Sequence, residues 1–253
     1  MNVSANVSTT ASVTAPILEV FASIQGEGLY AGEPQVFLRL GGCPYRCRYC
    51  DTVHSWKVPA ERSTPLDAAC GIRLAEGENV RTLSVTGGEP LLWVDFLSDL
   101  RDLIGERRVH LETAGGHPEQ LERALDLVDH VSLDLKCAGD LADPVPTAWD
   151  DRPRSGSEAW EEARERCLEL VRGRDACGKI VVADAARVGD YLKLLEEVEC
   201  LAGDLPVFLT PATPCNGGAA VGSDVLEPLV ERGIELGLDL RVLPQLHPVL
   251  GVR

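Results

Sequence analysis

The 253-residue sequence has no apolar run approaching the roughly 20 residues that a membrane-crossing helix needs, so a helical membrane protein is not expected. Its opening, MNVSANVSTTASVTA, lacks both the basic stretch and the apolar segment of a secretory signal; it reads as a disordered tail over residues 1–15, before a single domain over 16–253. Positive charge is scarce. The 24 Lys and Arg residues stand against 40 Asp and Glu, a net charge of −16. Such a surface repels phosphate backbones and anionic lipid, so neither nucleic acid nor a membrane is an expected partner. No repeated unit is visible. A secreted disulfide framework is also missing, because the nine cysteines are odd in number and unevenly spread. What remains is a cytoplasmic globular chain, 45% hydrophobic and 25% charged, able to bury one sizeable core.

From Pro16 onward, short β-rich runs alternate with helical patterns. Strands are expected at 17–21, 35–40, 82–86, 109–113, 131–135, 179–183, 207–210 and 238–243. Apolar spacing near 3.6 marks helices through Leu97, Leu100 and Ile104; Leu121, Leu125 and Val128; Val188, Leu192 and Leu195; and Leu226, Leu229, Val230 and Ile234. Repeated strand–helix–strand order implies parallel strands with crossover helices. About six such units follow Gln35 by this reading, short of the eight of a closed barrel. The expected fold is α/β, a partial (β/α)6-type open TIM barrel. The segment from Cys137 to Ser157, rich in Asp, Pro and Gly, reads as a surface excursion within the domain.

Ligands of parallel α/β folds sit at the carboxyl ends of the strands. Those ends carry, in order, GGCPYRCRYCDT, GGEP, Glu112-Thr113, Asp134-Leu135-Lys136, Thr210-Pro211-Ala212-Thr213 and Pro244-Gln245-Leu246-His247. The strongest signal is the C-x3-C-x2-C spacing of Cys43, Cys47 and Cys50. Thiolates are soft ligands, and a tight loop bearing three can hold three corners of a four-iron four-sulfur cube, with one iron left open. A structural zinc with His54 or a remote cysteine as fourth ligand is the alternative, although structural zinc usually arrives on two separated ligand pairs.

The cluster followed one strand later by GGEP resembles the radical S-adenosylmethionine (SAM) enzymes, in which the cofactor's amino and carboxylate groups bind the open iron. A finer resemblance is to the 7-carboxy-7-deazaguanine synthase family. It is carried by Ile24-Gln25-Gly26-Glu27-Gly28, Arg39, Asp51-Thr52, Thr86-Gly87-Gly88-Glu89-Pro90, Glu112-Thr113 and Gln245-x-His247. The resemblance implies a radical SAM lyase of queuosine and 7-deazapurine biosynthesis, converting 6-carboxy-5,6,7,8-tetrahydropterin to 7-carboxy-7-deazaguanine with loss of ammonia. It further implies a 4Fe-4S cluster on Cys43, Cys47 and Cys50, Mg²⁺ on Thr52, and SAM contacts at Gly87, Gly88, Glu89, Asp134, Leu135, Lys136, Thr210, Pro211, Ala212 and Thr213. Pterin contacts would fall on Ile24, Gln25, Gly26, Arg39, Thr86, Glu112 and the terminal carboxylate of Arg253, with Arg39, Glu112 and His247 as the catalytic set. An electron donor such as flavodoxin or ferredoxin and a homodimeric assembly are implied as well. The chain departs from the common family pattern at Ala114, where Asn is frequent, and at Asp134-Leu135, where Ser-Pro is frequent.

Each role has a physical basis and a plainer counterpart. Gln35, Phe37 and Arg39 share the face of their strand opposite to Val36, Leu38 and Leu40, so Arg39 points away from the main apolar row. Its fork suits a carboxylate, or a salt bridge at the rim. Glu112 could accept hydrogen bonds from an aminopyrimidine, or be a solvated strand-end acid. Thr52 alone would be a turn or cap residue, and His247 alone a satisfied core histidine. Two other functions stay open on the residues alone: activation of a glycyl-radical enzyme, which needs a protein substrate, and a zinc-stabilised interaction domain.

Overall fold

The computed structural model describes residues 13–76, 80–141, 157–213 and 221–252. Among the described residues, eight strands form one sheet in chain order: β1 (Ile17–Ile24), β2 (Pro34–Leu40), β3 (Thr82–Gly87), β4 (Arg108–Thr113), β5 (His130–Asp134), β6 (Ala176–Val182), β7 (Val207–Pro211) and β8 (Leu240–Val242). β1 is antiparallel to β2, and every later pairing is parallel. The crossovers carry α1 (Pro65–Glu76), α2 (Val94–Arg101), α3 (Pro118–Ala124), α4 (Ser157–Val171), α5 (Val188–Ala202) and α6 (Ser223–Glu235), with α7 (Leu246–Leu250) after β8. The sheet is open, with β1 and β8 at its edges. All eight expected strands are present, as are the six crossover units.

α1 and α4 were not among the helices that apolar spacing marked. α1 buries mainly small residues, Ala68 and Ala69 beside Ile72, which leaves a faint apolar stripe. Its start is set instead by a reciprocal cap: Asp67 accepts from the Thr64 N–H at 2.9 Å, and the Asp67 N–H donates to Thr64 Oγ1 at 3.3 Å. α4 does carry a helical stripe in Trp160, Ala163, Cys167, Leu168 and Val171, all buried.

Two expectations fall partly outside the described residues: 1–12 of the tail and 142–156 of the excursion. The tail boundary needs correction, because Ala15 is fully buried and pairs with Ser63 in a backbone bridge.

Strand alternation divides the sheet into two faces. One row, including Val36, Leu38, Leu83, Val85, Val109, Leu111, Val131, Leu133, Ile180 and Leu209, is buried against the helices and forms the apolar core. Truncating one of these leucines to alanine costs about 2–5 kcal/mol in comparable cores. The other row faces the barrel interior and is polar: Gln35, Ser84, Thr86, His110, Ser132, Lys179 and Thr210 are all buried. A closed barrel fills this space mainly with branched apolar side chains. Here hydrogen bonds fill its lower part. His110 Nε2 lies 2.8 Å from Ser132 Oγ and its Nδ1 3.3 Å from Gln35 Oε1. Beneath them Cys177, His130 and Asp175 stand in line, at 3.7 and 2.7 Å. The order resembles a thiol nucleophile with its base and orienting acid. Cys177 and His130 are nevertheless buried to 0% and 1% exposure, and burial pushes the Cys177 thiol up, so the trio is a plug.

Burial, reinforced by neighbouring His130, holds His110 well below its usual pKa. The unfolded chain takes up that proton near pH 6.5 while the folded one does not, so this contribution to stability is complete above pH 6.5 and declines as pH falls below it. Thermal unfolding between pH 7.5 and 5.5 should therefore show a falling midpoint, and His110→Gln should flatten that slope. An unchanged slope in the variant would assign the acid sensitivity to other groups.

Candidate active site at the carboxyl ends of the strands

The loop after β2 and the loop after β3 are bonded to each other through backbone. The Gly88 N–H donates to Leu40 O at 2.9 Å, and the Glu89 N–H to Gly42 O at 2.8 Å. A Cβ at Gly88 would collide with the Gly42 carbonyl, and one at Gly87, whose φ is +139°, with Leu40. Glycine is thus required for the two loops to touch. The Glu89 side chain is fully buried and accepts from Leu91 N at 3.0 Å, Thr113 Oγ1 at 2.8 Å and Ala114 N at 2.8 Å. It ties the end of β3 to the end of β4, and burial raises its pKa against those bonds. Tyr45 and Trp160 pack edge to face at 4.9 Å behind the cysteine loop, forming with Cys43 and Ala114 a small second core.

These loops roof a cavity of about 400 Å³ lined by the three cysteines, Thr52, Thr86, Gly87, Gly88, Glu112 and residues of every strand end from β1 to β7. Burial, with Glu89 adding to it, pushes the Cys43 thiol up to about 12; burial likewise pushes Cys47 up to about 11 against the opposing charge of Lys136. Metal binding at these thiols must therefore displace protons.

A line of buried charges also lines the cavity. Lys136 Nζ donates to Asp134 Oδ2 at 2.6 Å, Lys179 Nζ lies 3.0 Å from Asp134 Oδ1, and Lys179 Nζ donates to Glu27 Oε2 at 2.5 Å. Burial alone would raise Asp134, but the two ammonium groups outweigh it and hold the carboxyl at about 2. Beside this line, Gln25 Nε2 donates to Glu112 Oε1 at 2.7 Å, and Phe21 stacks on Phe37 at 5.2 Å, nearly parallel.

A family model for the radical SAM superfamily matches residues 38–183. The 7-carboxy-7-deazaguanine synthase of Methanothermobacter thermautotrophicus is 36% identical over 248 residues, covering 94% of this chain and 98% of the relative. The chain belongs to this synthase family. Within the family, the synthase of Methanopyrus kandleri is 34% identical, with 92% of each chain covered. Among solved structures, QueE from Escherichia coli aligns with a TM-score of 0.57 at 23% identity over 90% of this chain and 93% of that one. A radical SAM methyltransferase from Sphaerobacter thermophilus reaches 0.61 at 14% identity, covering 85% and 67%. At those identities the structures speak for the fold alone. The protein is a radical SAM lyase, and its cofactors are a 4Fe-4S cluster and S-adenosylmethionine.

The residues present fit both groups. Three soft donors on one loop line a single cavity, as a cluster with an open iron requires. Thr210 Oγ1 and Tyr49 OH line the same cavity, are buried, and have no hydrogen-bond partner among the described residues, so each can serve a polar ligand.

Most residues singled out in the sequence reach this cavity: Ile24, Gln25, Gly26, Arg39, Thr86, Gly87, Gly88, Glu112, Asp134, Lys136, Thr210, Ala212, Thr213 and His247, with the cysteines and Thr52. Glu89, Leu135 and Pro211 do not line it; Leu135 is buried in the apolar core. Arg253 lies outside the described residues. Arg39 is less free than its fork suggests, because its Nε donates to Glu19 at 2.9 Å across the β1–β2 pairing. Thr52 precedes a 3-10 turn (Val53–Trp56) without capping it by its side chain, and its hydroxyl stands 3.8 Å from Cys50 Sγ. His247 is only half-buried, so it is not a core histidine. Sequence reasoning missed Lys179 and the aromatic lining of Phe21, Tyr45, Tyr49 and Trp56. For Lys179 a signal existed: within β6 it has the interior parity, opposite to Ile180 and Val182.

Alanine at Cys43, Cys47 or Cys50 should abolish the reconstituted cluster, read by iron content and visible absorbance, whereas Cys200→Ala on the exposed face of α5 should leave it intact. Full iron content in any of the three loop variants would remove that thiol from the ligand set.

Proposed function

We propose that this chain converts 6-carboxy-5,6,7,8-tetrahydropterin to 7-carboxy-7-deazaguanine with release of ammonia, for queuosine or another 7-deazapurine. The observation that carries the reading is that Arg39, the Gln25–Glu112 pair and the Thr52 hydroxyl share one cavity with the cluster cysteines. A chain 36% identical to a named synthase over 94% of its length supports it.

Cys43, Cys47 and Cys50 would hold the cluster, with Gly88, Asp134, Lys136 and Thr210 on the SAM side. Together these groups supply, when bound, a 5′-deoxyadenosyl radical. The chain's own residues bind and orient. Glu112 can accept two hydrogen bonds from an aminopyrimidine edge, and the Gln25 amide fixes the rotamer in which it does so. The stacked Phe21 and Phe37 give a flat ring an apolar wall, and the free edge of the Arg39 guanidinium suits a carboxylate. Thr52, with its side chain unused as a cap, is placed to give Mg²⁺ one hard oxygen while substrate and water supply others. His247 sits at the rim and can orient the substrate. Tyr45, Tyr49 and Trp56 exclude water from the reacting centre. Glycyl-radical activation fits less well, since a 400 Å³ cavity edged by paired charges suits a small polar heterocycle better than a peptide. A cytoplasmic homodimer reduced by a flavodoxin or ferredoxin completes the proposal. Among the described residues no helix is long and apolar enough to cross a membrane.

The decisive experiment incubates the anaerobically reconstituted protein with SAM, reductant and the carboxylated pterin. The deazaguanine should form with equimolar ammonia; steady SAM cleavage without pterin consumption would refute the assignment. Mg²⁺ should stimulate that turnover at constant cluster content, and Thr52→Ala should lose most of the stimulation. If the variant responds to Mg²⁺ like the wild type, Thr52 is a turn residue only.

Arg39→Ala removes a charge-assisted bond of about 1.5–3 kcal/mol, so pterin binding should weaken about tenfold or more while SAM binding persists. Unchanged pterin affinity would leave Arg39 as the partner of Glu19 alone.

A further inference from the structure

The open sheet leaves a gap between its edge strands, and at the cavity two segments cross it. They are Gln25–Gly28, after β1, and Gln245–His247, after β8. The Leu246 N–H donates to Gly26 O at 3.0 Å, and a Cβ on Gly26 would come within 2.6 Å of His247 Nδ1. One carboxylate joins the segments: Glu27 Oε1 accepts from Gln245 Nε2 at 2.6 Å, while Oε2 accepts from Lys179 at 2.5 Å. The Glu27 N–H in turn donates to Gln25 Oε1 at 3.1 Å, leaving Gln25 Nε2 for Glu112.

We infer that Lys179 is a positioning residue that locks this clasp across the open side of the barrel and thereby sets Gln25, Glu112 and His247 for the substrate. Its side chain is 7% exposed and the Glu27 side chain 19%, so their charges are poorly screened. Glu27, Glu112, Asp134 and Asp51 all line the cavity, and Asp51 Oδ2 stands 3.1 Å from Gln245 Nε2. Lys136 already serves Asp134. Without Lys179 the Glu27 carboxylate would stay half-buried among like charges, which favours its escape to water. Escape of Glu27 leaves Gln245 held only by Thr213 Oγ1, at 2.6 Å, and by Asp51, and loosens the Gln25 loop on the other side. The inference rests on the proposed pterin chemistry for its kinetic consequence, though not for its structural one.

Hydrogen exchange and steady-state kinetics of the reconstituted holoenzyme test it. In Lys179→Met the Leu246 amide should exchange at least tenfold faster while the amides of β4 keep wild-type protection. The KM for the pterin should rise at least tenfold, with kcat within threefold and substrate-free SAM cleavage within twofold. Adding Glu27→Gln removes the stranded charge but keeps an acceptor for Gln245, so the double variant should recover most of both effects. Gln245→Ala, which opens the clasp from its half-buried side, should reproduce the fast Leu246 exchange even if Lys179→Met proves unstable. Wild-type exchange at Leu246 in both single variants, or a double variant no better than Lys179→Met, would overturn the inference. A wild-type protein inactive on the pterin would defeat the proposed function instead, and the exchange comparison would still decide the clasp.

Discussion

Contact between two backbone segments sets the rest of the site. The cysteine loop and the glycine loop after β3 meet at hydrogen-bond distance, Gly42 O to Glu89 N at 2.8 Å, and only residues without a Cβ permit it. β2 and β3 are paired in parallel register, Arg39 beside Thr86 and Leu40 beside Gly87, so both loops leave the sheet at one level. Trp93 Nε1 donates to Gly41 O at 2.9 Å and fixes the start of the cysteine loop from behind. The positions of the thiols, and of any group between them and Gly88, follow from backbone geometry that neither salt nor pH perturbs readily.

The side of the cavity that carries Lys179 and Glu27 is held by charge instead. A polar interior row in an eight-stranded sheet is costly unless every group finds a partner. The chain meets that demand for its charged groups with a line running from Lys136 through Asp134, Lys179 and Glu27 to Gln245, each link 3.0 Å or shorter, and leaves Thr210 Oγ1 at the cavity unpartnered among the described residues. Removing one partner of a buried pair typically costs about 3–5 kcal/mol, because the other charge is stranded. Below it, His110 and Ser132 occupy the space that apolar side chains would otherwise fill, and Gln25 Nε2 approaches His110 Nδ1 at 3.4 Å, so the plug reaches the cavity floor.

Much of this was legible in the sequence. The outward rows of the strands are mainly apolar, which made the strands visible, and the C-x3-C-x2-C spacing with GGEP pointed to the two loops that line the cavity. The rest was hidden for identifiable reasons. α1 buries alanines and takes its start from a cap, so apolar periodicity has little to detect. Glu89 sits in the motif itself, yet its carboxylate is a strut between β3 and β4; the motif cannot say which way a side chain turns. The Arg39–Glu19 pair depends on the antiparallel register of β1 with β2, which no local pattern specifies. Lys179 is separated from Glu27 by most of the barrel in sequence, so only the fold brings them together.

The two halves of the site therefore differ in what can disturb them. The cysteine half starts from two adjacent crossovers, β2 and β3, and is completed by the Glu89 strut to β4 and by Trp160 behind the loop. The half that carries Glu27 and Glu112 needs β1, β4, β6 and the segment after β8 at once, and its seam lies where an open barrel has no sheet hydrogen bonds. Local opening follows the least buried segments, and residues 245–247 are less buried than the strands. A seam of this kind can admit a small substrate and then exclude water behind it, without any movement in the backbone contacts that place the cysteines. Closure by a carboxylate shared between Gln245 and a buried lysine is suited to that use, because the pair is strong only when water has left.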